Sequence, residues 1–339
     1  MQRMGISDIA RAIEGRLNEA GVRRKAKAGW RPAVTGFHGF GSEERLHVIG
    51  RVLMQDPEPA PTEVQRGWRQ FFTYQVGEVP VTVQIGERTI ESSSNEQGYI
   101  DVLVHDHGLA PGWHEVTIRA EGAEPAVAEV HIVDPSARHG LISDVDDTVL
   151  VTWLPRALIA AWNAWVKRTD QRHPVPGMAE FYAELRRNHP DMPVFYLSTG
   201  AWNTFGTLVD FLARHNFPTG PLLLTDWGPT PTGLFRDGAE HKKIQLRNLI
   251  IEYPDIKWLL VGDDGQHDPL TYGDFVFEHP DRIAGVAIRQ LSPQEHVLSH
   301  GTAAPLAQAR REELFGVHSI AGENGHALLA EYRKDPFLD

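Results

Sequence analysis

The sequence predicts an α/β protein, a parallel doubly wound (Rossmannoid) sheet with a small cap insert, preceded by an N-terminal β-sandwich. Three observations carry that fold class. After Asp134-Pro135, short apolar runs alternate with helical stretches, the pattern of parallel strands covered by crossover helices. From about 44 to 133 the period is instead that of strands separated by Gly and Pro turns, the pattern of an antiparallel sandwich. A length of 339 residues also exceeds what one core usually holds, which suggests two domains.

Residues 1–36 form the first segment, with an amphipathic helix expected over 5–25. Ile6, Ile9, Ala10, Ile13, Leu17 and Val22 fall near one face. The helix runs into Arg23-Arg24-Lys25-Ala26-Lys27 and Trp30. Such a cluster could touch anionic lipid headgroups, but it reads first as a helix end whose cations complement the macrodipole. Residues 37–136 hold the sandwich, with strands expected at 46–53, 79–85, 99–104, 113–119 and 127–133. A helix at 64–72 follows the proline-rich Pro57-Glu58-Pro59-Ala60-Pro61. Gly98-Tyr99-Ile100-Asp101-Val102 and the later Pro111-Gly112-Trp113 resemble transthyretin-like and immunoglobulin-like sandwich modules. Residues 137–300 hold the parallel sheet, with strands at 141–143, 194–197, 222–224, 258–261 and 284–288. Helices are expected near 178–188, 204–215, 241–252 and 270–278. Residues 301–339 read as a helical tail of one or two covering helices.

Composition narrows the chemistry. A formal charge of −12 argues against nucleic acid as a partner, because phosphate backbones are held by clustered Lys and Arg. It leaves a phosphorylated substrate open, since a bound divalent cation reverses the local field. With no cysteine, disulfides, zinc-thiolate sites and thiol catalysis are excluded. No signal-peptide core opens the sequence, and no apolar run approaches the roughly 18–20 residues that span a bilayer. The expected location is cytoplasmic, with peripheral membrane contact open and the oligomeric state not legible.

Four ordered stretches carry the chemistry: Asp144-Val145-Asp146-Asp147-Thr148, Ser198, Lys242, and Gly262-Asp263-Asp264 with Asp268. The first, second and fourth end apolar, strand-like runs, and ligands of open α/β sheets bind beyond the carboxyl ends of strands. Gathered carboxylates repel unless a cation sits among them, so the pattern implies a magnesium-dependent phosphotransfer site. Asp144 would be the nucleophile, forming an aspartyl-phosphate. Asp146 would protonate the leaving alkoxide and then deprotonate the hydrolytic water. Mg2+ would be held by the Asp144 and Asp263 carboxylates and the backbone carbonyl of Asp146. Thr148, Ser198 and Lys242 would bind phosphoryl oxygens, with Asp264 and Asp268 as supporting groups orienting metal waters or Lys242. A calcium-binding helix–loop–helix does not fit, since the glycine and distal glutamate of such a loop are missing.

This constellation resembles the haloacid-dehalogenase-like phosphatases. Trp202-Asn203 after Ser198, Asp226-Trp227-Gly228 and Gly265-Gln266-His267-Asp268-Pro269 resemble one branch, the actin-patch-associated phosphatidate phosphatase family and its bacterial members. The resemblance covers about 137–292. It implies magnesium-dependent removal of phosphate from phosphatidate to leave diacylglycerol. Two departures alter the pocket floor: Ser198-Thr199-Gly200-Ala201 replaces a Ser- or Asn-rich turn ending in proline, and Asp264 stands where serine is common.

The segment 149–174 is too short for a large cap and contains Trp153, Leu154, Leu158, Ile159, Trp162 and Trp165. It reads either as an apolar flap admitting a lipid or as a helix packed on the sheet. Trp202, Asn203, Asp226, Trp227, His267 and Arg289 are candidate substrate contacts, and His241 borders the site. Beside a lipid phosphatase stand a phosphatase for soluble phosphomonoesters and an interaction scaffold with a degenerate phosphatase domain.

Overall fold

A computed structural model describes residues 22, 24, 26–56, 76–151, 173–225, 238–265, 267–300 and 317–338. The helix expected at 5–25 (except Val22 and Arg24), the helix at 64–72 and the Trp-rich insert lie outside the described residues. The described chain divides into two compact units, one ending at Pro135 and the other beginning at Ser136.

The N-terminal unit contains β1 (Arg31–Gly36), β2 (Gly39–Gly41), β3 (Arg45–Gln55), β4 (Pro80–Ile85), β5 (Arg88–Ser93), β6 (Tyr99–His105), β7 (Gly112–Ala120) and β8 (Ala126–Ile132). They form one eight-stranded sheet in the order β1-β3-β2-β8-β7-β4-β5, with β6 paired to β3. Pairing is antiparallel except between β2 and β8. Alternate residues point inward, as strand geometry requires: Val81, Val83 and Ile85 of β4 and Ile100, Val102 and Val104 of β6 share one buried cluster. The sheet curls. A Cβ on Gly50 of β3 would lie 2.9 Å from Ile118 Cδ1 of β7. Three strand spacings would put these strands roughly 14 Å apart in a flat sheet. The edges approach as well, since Arg88 Nη1 at the start of β5 donates to the carbonyl of Asp106, just beyond β6.

Strands β1, β2 and β5 were not expected from the sequence. β2 is only three residues long. β5 (Arg88-Thr89-Ile90-Glu91-Ser92-Ser93) is almost wholly exposed, an edge strand without an apolar face to show.

The C-terminal unit holds β9 (His139–Asp144), β10 (Val194–Ala201), β11 (Leu222–Thr225), β12 (Lys257–Asp263), β13 (Ile283–Arg289) and β14 (His318–Gly322). These make a six-stranded parallel sheet in the order β11-β10-β9-β12-β13-β14. The helices are α1 (Met178–Arg187), α2 (Phe205–Arg214), α3 (Gly238–Glu252), α4 (Asp268–Glu278), α5 (Pro293–His300) and α6 (Gly325–Lys334). In α1, Met178, Phe181, Tyr182 and Leu185 recur at helical spacing and are buried. α4 opens with Pro269, whose missing N–H costs nothing in a first turn. α6 is capped by Asn324, whose side chain accepts from Ala327 N at 3.1 Å. Among the described residues no helix is long and apolar enough to cross a membrane.

The tail differs from expectation. Its described part is a strand followed by a helix, not helices alone. His318-Ser319-Ile320-Ala321-Gly322 carries only one strongly apolar side chain, so its sequence shows no strand signal. Pairing with β13 supplies what the sequence does not display.

Strand order runs outward from β9 through β10 to β11, then reverses through β12, β13 and β14. The reversal falls between β9 and β12, which pair in parallel register. A crevice opens at such a switch point because the flanking connections leave in opposite directions. Asp144 and Asp263 are the last residues of these two strands.

Candidate active site

The switch point gathers Asp144 from β9, Asp263 from β12, Lys242 from α3 and Asp268 from the start of α4. Lys242 Nζ lies 2.6 Å from Asp144 Oδ1 and also donates to Asp268 Oδ1. One oxygen from each of Asp144, Asp263 and Asp268 falls within 4.8 Å of the others. All four side chains are buried. Gly262 makes the approach feasible, since a Cβ there would lie 2.7 Å from Asp268 Oδ2 and 2.8 Å from the Tyr272 ring.

One ammonium faces three carboxylates. Burial raises Asp144 to about 7; Lys242 opposes the rise, and Asp268 and Asp146 add to it. Asp263 is pushed well above its ordinary value by burial, then by Asp268, Asp144 and Asp147. For Lys242, burial disfavours the charge, but Asp144 and Asp268 outweigh it and hold the ammonium protonated. With all three carboxylates ionised, the cluster would carry more negative charge than Lys242 neutralises, and the raised carboxyls of Asp144 and Asp263 reflect that excess.

The donor set suits a hard divalent cation. Asp144 Oδ2 and Asp268 Oδ2 are buried acceptors with no hydrogen-bond partner, beside a third carboxylate and in an all-oxygen environment. Asp268, expected as a supporting group, belongs to the cluster itself.

The loop after β9 turns back on itself. Val149 N donates to the Val145 carbonyl at 2.9 Å and Asp147 N to that of Leu150 at 2.8 Å. Asp147 sits at φ 59, a left-handed conformation that costs a non-glycine residue on the order of 1 kcal/mol. Beyond it the chain leaves and returns side by side, with Val151 N donating to the His173 carbonyl at 3.0 Å and Val175 N to that of Val149 at 2.9 Å. Asp146 is half-buried, and its Oδ2 accepts from Ser198 Oγ at 3.2 Å. Ser198 Oγ in turn accepts from Gly200 N at 2.9 Å. Thr148, expected to bind phosphate, is buried with its hydroxyl 3.5 Å from Asp263 Oδ2, so it faces a carboxylate.

Two expected site residues point elsewhere. Asp264 turns away from Lys242 and the carboxylate cluster: its Oδ1 accepts from Leu291 N at 2.8 Å and lies 3.4 Å from His296 Nε2. It follows a strand end at which Asp263 faces the cluster, and alternation sends the next side chain the other way. Arg289, expected as a substrate contact, is buried with its donors on Asp147 O, Glu323 O and Glu295. Trp202 is buried and Asn203 half-buried in a 3-10 turn after β10. His241 is buried and His267 exposed. Asp226 and Trp227 lie outside the described residues.

Sequence reasoning missed Thr225, whose hydroxyl donates to the carbonyls of Thr199 at 2.9 Å and Gly200 at 3.2 Å and so fixes the turn after Ser198. Its place at the end of an apolar run, like that of Ser198, was the available signal. It missed the close-approach role of Gly262 as well.

Residues 139–290 match the family model described as the catalytic domain of phosphatidate phosphatase APP1. The chain is 29% identical over 151 residues to phosphatidate phosphatase APP1 of Saccharomyces cerevisiae, covering 44% of this chain and 25% of the yeast protein. It is 24% identical over 168 residues to an uncharacterized protein of Schizosaccharomyces pombe, covering 49% of this chain and 27% of that one. The chain thus spans about a quarter of the length of the curated relatives it matches. Among solved structures, the HAD domain of the effector protein Lem4 from Legionella pneumophila matches with a TM-score of 0.31 at 15% identity, covering 46% of this chain and 88% of that one. Residues 139–290 of this chain are thus similar to the catalytic domain of phosphatidate phosphatase APP1.

Proposed function

We propose that the C-terminal unit is a magnesium-dependent phosphatase that works through an aspartyl-phosphate on Asp144 and acts on phosphatidate or a related lipid phosphate. The observation that supports it most is the buried contact of Lys242 with both Asp144 and Asp268, beside Asp263 on the adjoining strand. Lipid preference rests on what the yeast relative is named for.

One carboxylate oxygen of Asp144 attacks phosphorus while the other stays on the cation side of the cluster, and Lys242, on Oδ1 here, keeps the carboxylate in place. As the ester P–O bond breaks, Asp146 gives its proton to the leaving alkoxide, oriented for this by Ser198. Water then attacks the aspartyl-phosphate and Asp146 takes its proton, releasing phosphate and restoring Asp144. Lys242 and Ser198 bind the transferring oxygens. Magnesium, held by Asp144, Asp263 and Asp268 with the Asp146 carbonyl, would supply neutralisation of carboxylate and phosphoryl charge.

The curled N-terminal sheet is read as a sandwich, because β3 and β7 face each other across its core. A lipid substrate would require a cytoplasmic protein to meet the membrane peripherally.

The test is phosphate release from phosphatidate in mixed micelles beside a panel of soluble phosphomonoesters, with and without magnesium, for wild type and Asp144→Asn. Turnover of phosphatidate that needs both magnesium and Asp144 is expected. Release confined to soluble esters would reject the lipid assignment, and no release from any ester would favour a scaffold.

A further inference from the structure

Arg289 ends β13 directly beside Asp263 in the register of the two strands. The residue is 4% exposed. Nη1 donates to the Asp147 carbonyl at 2.7 Å, Nε to the Glu323 carbonyl at 3.2 Å, and Nη2 to Glu295 Oε1 at 2.5 Å. Three acceptors in three directions match the rigid fork of a guanidinium and not the single point of an ammonium.

Glu295 is itself fixed. Its Oε2 accepts from Ser292 N at 2.8 Å while Ser292 Oγ accepts from Glu295 N at 3.3 Å, a reciprocal cap at the start of α5. The same short segment holds the other loop of the site. Asp264 N donates to the Arg289 carbonyl at 3.0 Å, and Asp264 Oδ1 accepts from Leu291 N at 2.8 Å. Residues 289–296 therefore grip both the loop that follows the nucleophile and the loop that follows Asp263.

Such a grip has a clear mechanical target. Asp147 holds a left-handed backbone conformation that does not persist without support. Its neighbours in the chain are Asp146 and Thr148. Letting Asp147 relax would swing Asp146 away from Ser198. Burying a guanidinium costs desolvation energy that an apolar side chain would avoid, so stability alone is a weak reason for an arginine here.

We propose that Arg289, braced by Glu295, is a positioning residue that sets the Asp146 carboxyl for proton transfer to the leaving group. This rests on the phosphatase reading of the site. It differs from the sequence-based expectation that Arg289 touches substrate: the arginine acts through the Asp147 carbonyl and contacts no reacting atom.

Leaving-group dependence isolates that role. A p-nitrophenolate departs without protonation, whereas an alkoxide needs the proton that Asp146 delivers. Steady-state kinetics of wild type, Arg289→Met, Arg289→Lys and Glu295→Gln are compared on p-nitrophenyl phosphate and on phosphatidate in mixed micelles, an alkyl phosphate monoester, with magnesium saturating. Arg289→Met is expected to lower kcat on the alkyl ester by about 100-fold, the order produced by an ångström of misplacement. The loss on the nitrophenyl ester should be under about 10-fold, since attack by Asp144 is spared. KM should hold within about threefold, because Lys242 and Ser198 still bind the phosphoryl group. Arg289→Lys and Glu295→Gln should fall between, with the same bias between esters. If Arg289→Met does not fold, Glu295→Gln carries the comparison with the arginine still in place. Equal losses on the two esters, or none on either, with an active wild type would overturn the positioning role alone. A wild type inactive on both esters would overturn the phosphatase reading and this proposal with it.

Discussion

Replacing Asp144 by Asn should abolish turnover and make the magnesium-free protein more stable at alkaline pH. Asn has nearly the shape of the neutral acid and keeps an oxygen for Lys242. Asp144 rises from 3.8 to about 7 on folding, burial being the main cause. That rise makes the ionised form costlier than the neutral one by about 4 kcal/mol above pH 7. An amide reproduces the acid incompletely, so a gain of about 2–4 kcal/mol is expected there. The sign follows from proton binding. Below pH 3.8 both folded and unfolded wild type hold the proton, and the two proteins are equally stable in this respect. Between 3.8 and about 7 only the folded wild type holds it, so wild-type stability is lost as pH rises through that window. Differential scanning calorimetry without magnesium should show the Asn variant melting about 5–10 °C above wild type at pH 8. Near pH 4 the gap should close. Excess magnesium should stabilise wild type more than the variant, because the cation offsets the charge that Asn lacks. A melting difference that is the same at both pH values, or a less stable variant at pH 8, would refute the account of a charge-strained cluster.

Two further changes probe the same cluster. Lys242→Met removes the one cation that, among the described residues, faces the three buried carboxylates. It should cost about 3–5 kcal/mol at pH 8, read by denaturant melts, and less at pH 5, where the raised carboxyls of Asp144 and Asp263 take up protons. Gly262→Ala would drive a methyl to 2.7 Å from Asp268 Oδ2 and 2.8 Å from Tyr272 Cε2. A destabilisation of about 1–3 kcal/mol is expected, with phosphate release impaired beyond what lost folding explains.

The parallel sheet was legible because its strands are buried on both faces. Val194-Phe195-Tyr196-Leu197 and Trp258-Leu259-Leu260-Val261 are continuous apolar runs, and each ends in a polar residue that enters the site. Asp144 and Asp263 were readable because each follows an apolar, strand-like run, and Lys242 and Asp268 because they stand in order with them. What escaped notice depended on partners far away in sequence. β5 and β14 have little apolar character and exist through pairing with β4 and β13. Arg289 was expected to contact substrate because the carbonyls that occupy it belong to Asp147 and Glu323, far away in sequence. Asp264 was assigned with its neighbour Asp263, yet consecutive side chains at a strand end diverge, and it serves Leu291 instead.

The family match ends at residue 290, whereas the folded unit does not. Strand β14 pairs alongside β13, and Phe337 covers Gly285 so closely that a methyl there would lie 2.3 Å from its ring. A protein trimmed at the homology limit would leave the flank of β13 bare and strip Arg289 of its Glu323 acceptor. Such a fragment would invite intermolecular strand pairing. Recombinant catalytic units should therefore run through Leu338, and failure of shorter pieces would reflect a severed sheet, with no bearing on the chemistry.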